Sequence, residues 1–499
     1  MDASHGSAAA AAQGESSVSF GRTHFGGCEL GDRRRVERAV VTADAMLARP
    51  GGTLPAKLRG AQLTGFYDMA NNAKVTHANL LAAHTRRTLD LTARCDGGGA
   101  AGGGGSGSGR VVLLIHDTTE ADYSGLSAAG LGQLGDGHGY GLLVHNVLAV
   151  DYARREVLGL AAQFTHVRRR VNRKEGLAAS RAHPQRESRL WVKGVEAVGP
   201  PPPGVTRVNL MDRGGDSFEC LDRQHRVLRQ PFIVRSRNDR NVRVTDRAGR
   251  VIRRKLHPWA RRLPALGTRA LEVAAGNEGQ PARTATVCVS AAPVEVQVPN
   301  NKYGEHGDDP LALWVVRVWE VAPPAGQEAR EWILLTDVPT ASAAEAWERV
   351  DWYACRPVVE ELHKAMKTGC GIELMQFTTR KALEVGIAML SVVAVQLLRL
   401  RDLARQDEAG GGGGGGEPAA TAAVDVVGPE HVEALSLWRW HEARPDLTAR
   451  EFLAALGRLG GHLGRRGDGP PGWLVLWRGW TELQRMVEAI RLVRLERSG

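Results

Sequence analysis

The spacing of apolar side chains divides the chain into helical and extended stretches. After Gly31 and Asp32, the residues Val36, Val40, Ala43 and Leu47 recur at helical intervals, which predicts a helix from about Arg33 onward. The run 111–115, Val-Val-Leu-Leu-Ile, predicts a strand, and 144–150, 205–211 and 232–234 repeat that signal. From about 240 to 340 the pattern stays extended, with short strands expected at 285–290, 313–321 and 332–336. A long helical stretch follows over about 341–405. Residues 430–497 again read as helix and carry Trp438, Trp440, Trp473, Trp477 and Trp480. Strands followed by a terminal helix, with a β insertion between them, predict a mixed α/β core with helical units on either side. The most apolar run, 385–400, is short for a membrane span and ends among Arg399 and Arg401. It is expected as a buried helix, with no membrane partner.

Low-complexity segments set the expected boundaries. Residues 1–19 are rich in Ala, Ser and Gly and read as a disordered tail without a signal peptide. The stretches 97–109 and 410–416 are dominated by glycine, which loses the most entropy on ordering. The expected units are a helical domain at 20–95, a linker at 96–109, a core at 110–405 with its β insertion at about 240–340, a linker at 406–429, and a helical domain at 430–499.

Charge narrows the class of partner. Of 499 residues, 65 are Lys or Arg and 55 are Asp or Glu, a net charge of +10. Such an excess favours a polyanion, because each cation placed on a phosphate releases a condensed counterion. The six cysteines contain no Cys-x-x-Cys pair, so neither a zinc site nor a disulfide framework is indicated, and a reduced, cytoplasmic compartment fits.

The chemistry lies in three carboxylates. Asp117 follows the strand at 111–115, and Asp212 follows the strand at 205–211. Acids at the C-terminal ends of neighbouring strands converge where α/β proteins bind ligands. Each alone also suits a cap or a turn. Downstream, Tyr353, Arg356, Glu360 and Lys367 fall within a sector of ~60° if 353–367 is one helix. With apolar Val358, Val359, Leu362 and Met366 beside it, this charged stripe suggests the wall of a cleft. Three carboxylates suit a pair of Mg²⁺ or Mn²⁺ ions, which would activate the attacking oxygen and stabilise the leaving one. Arg356 and Lys367 would then hold flanking phosphates.

The pattern Tyr353-x-x-Arg356-x-x-x-Glu360, followed by Lys367, resembles the Tyr-Arg-Glu-Lys signature of bacterial insertion-sequence transposases of the DDE class, transposon-five type. The likeness runs in order through 30–34, 117–119, 131–146, 232–236, 332–336, 361–365 and 473–480. It implies a ribonuclease-H-like catalytic core with a β insertion, an N-terminal domain that binds transposon-end DNA, and C-terminal helices that form a homodimer. The implied activity is cut-and-paste transposition: strand cleavage, hairpin formation and joining to target DNA, in the cytoplasm at the nucleoid. Asp117, Asp212 and Glu360 would be the catalytic metal ligands of two ions per site. Tyr353, Arg356 and Lys367 would contact phosphate and hairpin, and Trp332 would stack on a flipped-out base. Arg33, Arg34 and Arg35 match the start of the DNA-binding helix. Arg235, with Arg237 and the cluster Arg168, Arg169, Arg170, Arg173 and Lys174, could line a DNA channel.

Two features depart from the pattern, Pro357 and the inserted glycine-rich runs at 97–109 and 410–416. Pro357 would cost about 3 kcal/mol inside a helix, so either a helix begins there or Tyr353 and Arg356 lie across a kink. A catalytically weak or inactive relative that binds DNA and regulates transposition is the alternative reading.

Overall fold

The computed structural model describes residues 18–94, 109–135, 137–169, 175–246, 248–273, 282–300, 306–324, 326–327, 329–409, 422–465 and 471–498. The glycine run at 410–416, most of the run at 97–109, and Arg170, Arg173 and Lys174 lie outside them.

Among the described residues a mixed sheet of twelve strands dominates, one of them the two-residue strand Gly132–Gln133 paired with Tyr140–Asp151. Its first part comprises β1 (Arg110–Asp122), β2 (Tyr140–Asp151), β3 (Glu156–His166), β4 (Val205–Met211) and β5 (Phe232–Arg235). In space they run β3-β2-β1-β4-β5. The first three pair antiparallel as a meander, and β4 and β5 continue parallel to β1. Parallel neighbours need a crossover, and the helix Arg189–Val198 supplies it between β3 and β4. The second part comprises β6 (Asn241–Thr245), β7 (Val251–Lys255), β8 (Gly267–Val273), β9 (Arg283–Val296), β10 (Leu311–Glu320) and β11 (Glu331–Thr336). β11 pairs with β5, so the β insertion extends the same sheet rather than forming a separate one, and β7 is its outer strand. The β-rich expectation for 240–340 thus corresponds to six strands, broken by a short helix at Leu256–Ala260.

Helices cover both faces. They are α1 (Phe20–Phe25), α2 (Arg33–Ala48), α3 (Ala61–Asn71), α4 (His77–Ala93), α5 (Arg189–Val198), α6 (Ala343–Tyr353), α7 (Pro357–Lys364), α8 (Arg380–Ala409), α9 (Pro429–Trp440), α10 (Ala449–Leu459) and α11 (Trp473–Ser498). Capping chemistry fixes several starts. Asp32 accepts from the Arg34 amide, Thr76 and Asn79 form a reciprocal box, and so do Ser342 and Glu345.

β1 is buried on both sides over 112–116, which explains its unbroken apolar run. Alternation sends Leu113 and Ile115 into one apolar cluster and Val112 and Leu114 into another. The first cluster is continuous from Phe25 in α1, through α8, to Trp480 and Val487 in α11. Helices from both ends of the chain therefore share a core with the sheet. The apolar run of α8 is long and apolar enough to cross a membrane, yet 83% of that window is buried inside the fold. Its fully buried residues include Leu383, Val385, Leu390 and Val393, as expected for a core helix.

Candidate active site

The register of β1 against β4 brings the two aspartates together. The parallel ladder pairs Arg110 with Val205 and ends with His116 beside Met211, so Asp117 and Asp212 occupy the next position on each strand. Asp117 was expected at a strand terminus. Instead β1 runs on to Asp122, because its antiparallel pairing with β2 continues past the end of the parallel ladder. Asp212 does terminate β4, and its Oδ1 accepts from the Gly214 amide at 2.7 Å. The cap role therefore uses one oxygen and leaves the other free to face the site.

The segment 353–367 is not one continuous helix. α6 ends at Tyr353, a turn follows, and α7 begins with Pro357 at its first position. There the missing amide costs nothing, because the first turn of a helix has no internal acceptor for it. A wide turn over Ala365–Gly369 follows α7 and carries Lys367. The shared-sector expectation therefore fails as a whole, although Arg356 and Glu360 still lie one turn apart.

Arg356 organises the acids. Its Nη2 lies 3.0 Å from Asp117 Oδ2 and 3.6 Å from Asp212 Oδ2, while its Nη1 lies 2.7 Å from Glu360 Oε1. One guanidinium thus meets all three carboxylates. Burial alone would lower the Arg356 pKa, but the facing Asp117 and Asp212, with Tyr353 and Glu360, outweigh it and raise it. Burial pushes the Asp117 carboxyl up to about 6; Arg356 and the Thr118 amide oppose that rise, while Asp212 and Glu360 add to it. Glu360 is the most exposed of the three, at 52% for its side chain.

The other expected residues divide. Tyr353 is buried and packs edge-on against Trp332, with ring centroids 5.1 Å apart. Burial pushes its phenol up to about 12. Trp332 is half-buried, with its ring against that of Tyr353. Arg235 donates to the Glu331 carbonyl at 3.3 Å; burial lowers its pKa, and Arg213 and Arg356 lower it further. Lys367 does not reach the carboxylates and pairs with Glu373 at 3.1 Å. Arg33, Arg34 and Arg35 open α2, with Asp32 capping it, so a carboxylate already offsets part of their conflict with the helix dipole. Arg35 donates to the Leu30 carbonyl at 2.8 Å, and Arg34 extends into solvent. These three do not join the acid cluster.

One residue at the site was missed. His363 Nδ1 lies 4.0 Å from Asp117 Oδ2, and its Nε2 lies 3.1 Å from Asn146 Nδ2. The amide must donate, so Nε2 is the acceptor and the proton sits on Nδ1, facing Asp117. Burial holds the imidazole neutral, with its pKa down to about 3, and Lys367 and Arg356 add to that. Behind it Gln163 donates to Asn146 at 2.6 Å and to Ser391 at 2.9 Å, and meets His77 at 2.9 Å. The available signal was spacing, since seven residues after Arg356 is nearly two full turns.

The donors suit a hard divalent cation in kind, being oxygens from three carboxylates. In arrangement they do not yet form a ligand shell: among the described residues no three His, Cys, Asp or Glu side chains stand close enough to hold a metal ion. The guanidinium of Arg356 occupies the space between them.

The sequence matches no protein-family model. Among solved structures, the chain is similar to the piggyBac transposase in its cryo-EM synaptic complex with hairpin DNA, at a TM-score of 0.29 and 10% identity. The similarity covers 59% of this chain and 48% of that one, so the chain spans about half of that protein. A likeness at that level decides nothing about activity.

Proposed function

We propose that the chain is a DNA transposase of the DDE class. It would cut one strand at a transposon end, form a hairpin, and join the freed end to target DNA. The observation that carries this reading is the convergence of Asp117, Asp212 and Glu360 on one guanidinium where the parallel β1/β4 ladder ends. A meander passing into parallel strands, with a β insertion before the helix that bears Glu360, supports a ribonuclease-H-like core.

Asp117, Asp212 and Glu360 would hold Mg²⁺ or Mn²⁺, which when bound lowers the pKa of an attacking oxygen and stabilises the leaving one. Arg356 has to leave the carboxylates for that shell to form, and its planar fork suits a phosphate as well as it suits them. Arg356 thus pairs with the three carboxylates and would serve as a phosphate clamp for DNA. The neutral His363 stands 4.0 Å from Asp117 and adds no charge beside it. Trp332, braced edge-on by Tyr353, offers an indole face to an unstacked base, a contact worth ~1–3 kcal/mol. Helices Pro429–Trp440 and Trp473–Ser498 would serve a homodimer.

The test uses the full chain, Mg²⁺ and a labelled duplex carrying the inverted repeats that flank the coding region. Nicking, then hairpin and strand-transfer products, are expected from the wild type. Asp117→Asn should reduce nicking by at least about a thousandfold, which is ~4 kcal/mol of activation free energy. Tight binding to that duplex with no nicking would instead establish the regulatory reading.

A further inference from the structure

The outer edge of the β insertion carries a charge pattern that the acidic cleft does not use. Residues 250–262 contain six basic side chains and no acidic one. Two of them are answered: Arg250 pairs with Asp246 at 3.0 Å and Arg261 with Glu331 at 2.6 Å. Among the described residues, no carboxylate lies within ion-pair distance of Arg253, Arg254 or Lys255, all three exposed on β7. The register sharpens the point. Arg253 stands directly opposite Arg243 of β6, a like-charge pair that destabilises a ladder. Arg243 finds Glu295 at 3.1 Å on its other side, so Arg253 is left facing a cation. These strands border a groove of about 380 Å³ lined by Arg243, Pro293, Glu295 and Trp314.

We propose that the β6–β7 edge is a second DNA-binding surface that grips duplex phosphates away from the cleft. This inference rests on the transposase reading only for the choice of DNA as the polyanion. A lone Lys or Arg is enough to keep an edge strand from pairing with another molecule. Three consecutive cations exceed that need. Arg253 and Lys255 share one face of the strand, with Arg243 opposite Arg253, and Arg254 stands on the other. The edge thus offers cations to a phosphate backbone on both sides. The reach is suitable too. β7 lies six strands along the sheet from β4, which at ~4.8 Å per strand is about 29 Å. A duplex with its scissile phosphate at Asp117 and Asp212 would extend that far in about eight base pairs.

The experiment measures binding of the full chain to a random-sequence 40-base-pair duplex, without divalent ions, across a salt series. Replacing Arg253, Arg254 and Lys255 by Gln together should weaken binding. It should also make the slope of log K against log salt shallower by about 2 to 3, since each lost phosphate contact removes ~0.9. Changing Arg253 and Arg254 to Lys keeps the charge and should keep the slope, which separates charge from any damage to the fold. Parallel salt lines for the wild type and the triple Gln variant would overturn the proposal. If the triple Gln variant shows the predicted slope change yet the wild type never cuts DNA, this surface stands and the transposase reading falls. A wild type that binds no duplex overturns both.

Discussion

The acidic cleft and the basic edge lie on one sheet, and they treat charge in opposite ways. At the acids, Asp117 is largely but not fully buried, its side chain 14% exposed, and a single guanidinium touches it and two further carboxylates. At the edge, Arg253, Arg254 and Lys255 are exposed, and among the described residues no carboxylate stands within ion-pair distance. Burial explains the difference. A charge withdrawn from water must be paired within the fold or it neutralises, whereas a solvated one can wait for a partner. The cleft therefore spends Arg356 on stability until a ligand arrives, and the edge keeps its cations available throughout.

The sharpest way to break this contrast is to remove the compensating cation. Arg356→Gln should destabilise the chain by about 2 kcal/mol in urea denaturation with EDTA, because the largely buried Asp117 loses its cation and the more exposed Asp212 and Glu360 are left facing it. Arg253→Gln, on the solvated edge, should stay within about 0.5 kcal/mol of wild type. Millimolar Mg²⁺ should recover more stability in the Arg356 variant than in wild type, as expected when a ligand binds only the folded state and no longer competes with a guanidinium. Equal losses for the two variants would show that burial does not govern how the sheet handles charge.

A second buried pair extends the same rule to groups that respond by neutralising. His24 and His84 meet through their Nδ1 atoms at 2.9 Å, and His84 Nε2 accepts from the Leu160 amide at 3.1 Å. Burial, then Arg87 and Arg399, hold His24 down to about 3, and burial, His24 and the same arginines hold His84 well below its usual value. The folded pKa is depressed, so below about pH 6.5 the unfolded chain takes up the proton first. Stability should fall as pH drops from about 6.5 toward about 3. His24→Gln keeps an acceptor for His84 and removes one such proton. Between pH 6 and pH 4 its stability should decline more slowly than that of wild type, by about 1.4 kcal/mol per pH unit. Parallel pH profiles would show that His24 is not held neutral by the fold.

These regions also differ in how much of them the sequence revealed. The apolar run at 111–115 was legible because β1 is buried on both faces there, and burial forces an unbroken apolar code. β4 was legible from Val205, Val208, Leu210 and Met211 although Arg207 and Asn209 interrupt them, both buried and bonded to Thr92 and Gln230. Arg356 and Glu360 were legible because a spacing of four survives any helical turn. Lys367 misled, because the wide turn at Ala365–Gly369 breaks the helical phase that its spacing assumed. His363 escaped notice because its partners, Asn146 and Gln163, come from strands more than 190 residues earlier. The basic edge was overlooked for another reason. A charge run reads as ordinary solvated surface until the β6–β7 register sets Arg253 against Arg243.

The smallest expected effect concerns Pro357, the residue that stands between Arg356 and Glu360. Its position at the head of α7 means that the ring replaces an amide with no helical acceptor and presets the backbone for the first turn. Pro357→Ala should therefore cost only about 0.5–1 kcal/mol, mostly by freeing the unfolded chain. The Arg356 contacts to Asp117 and Glu360 depend on the turn over 354–356 and on the apolar anchors Val359 and Leu362, which the substitution leaves in place. Nicking of the transposon-end duplex should stay within about twofold of wild type. A large fall in nicking with unchanged stability would mean that the proline itself sets the angle at which Arg356 meets the acids. The cleft would then depend on a single backbone angle as well as on charge, a dependence with no counterpart at the exposed β6–β7 edge.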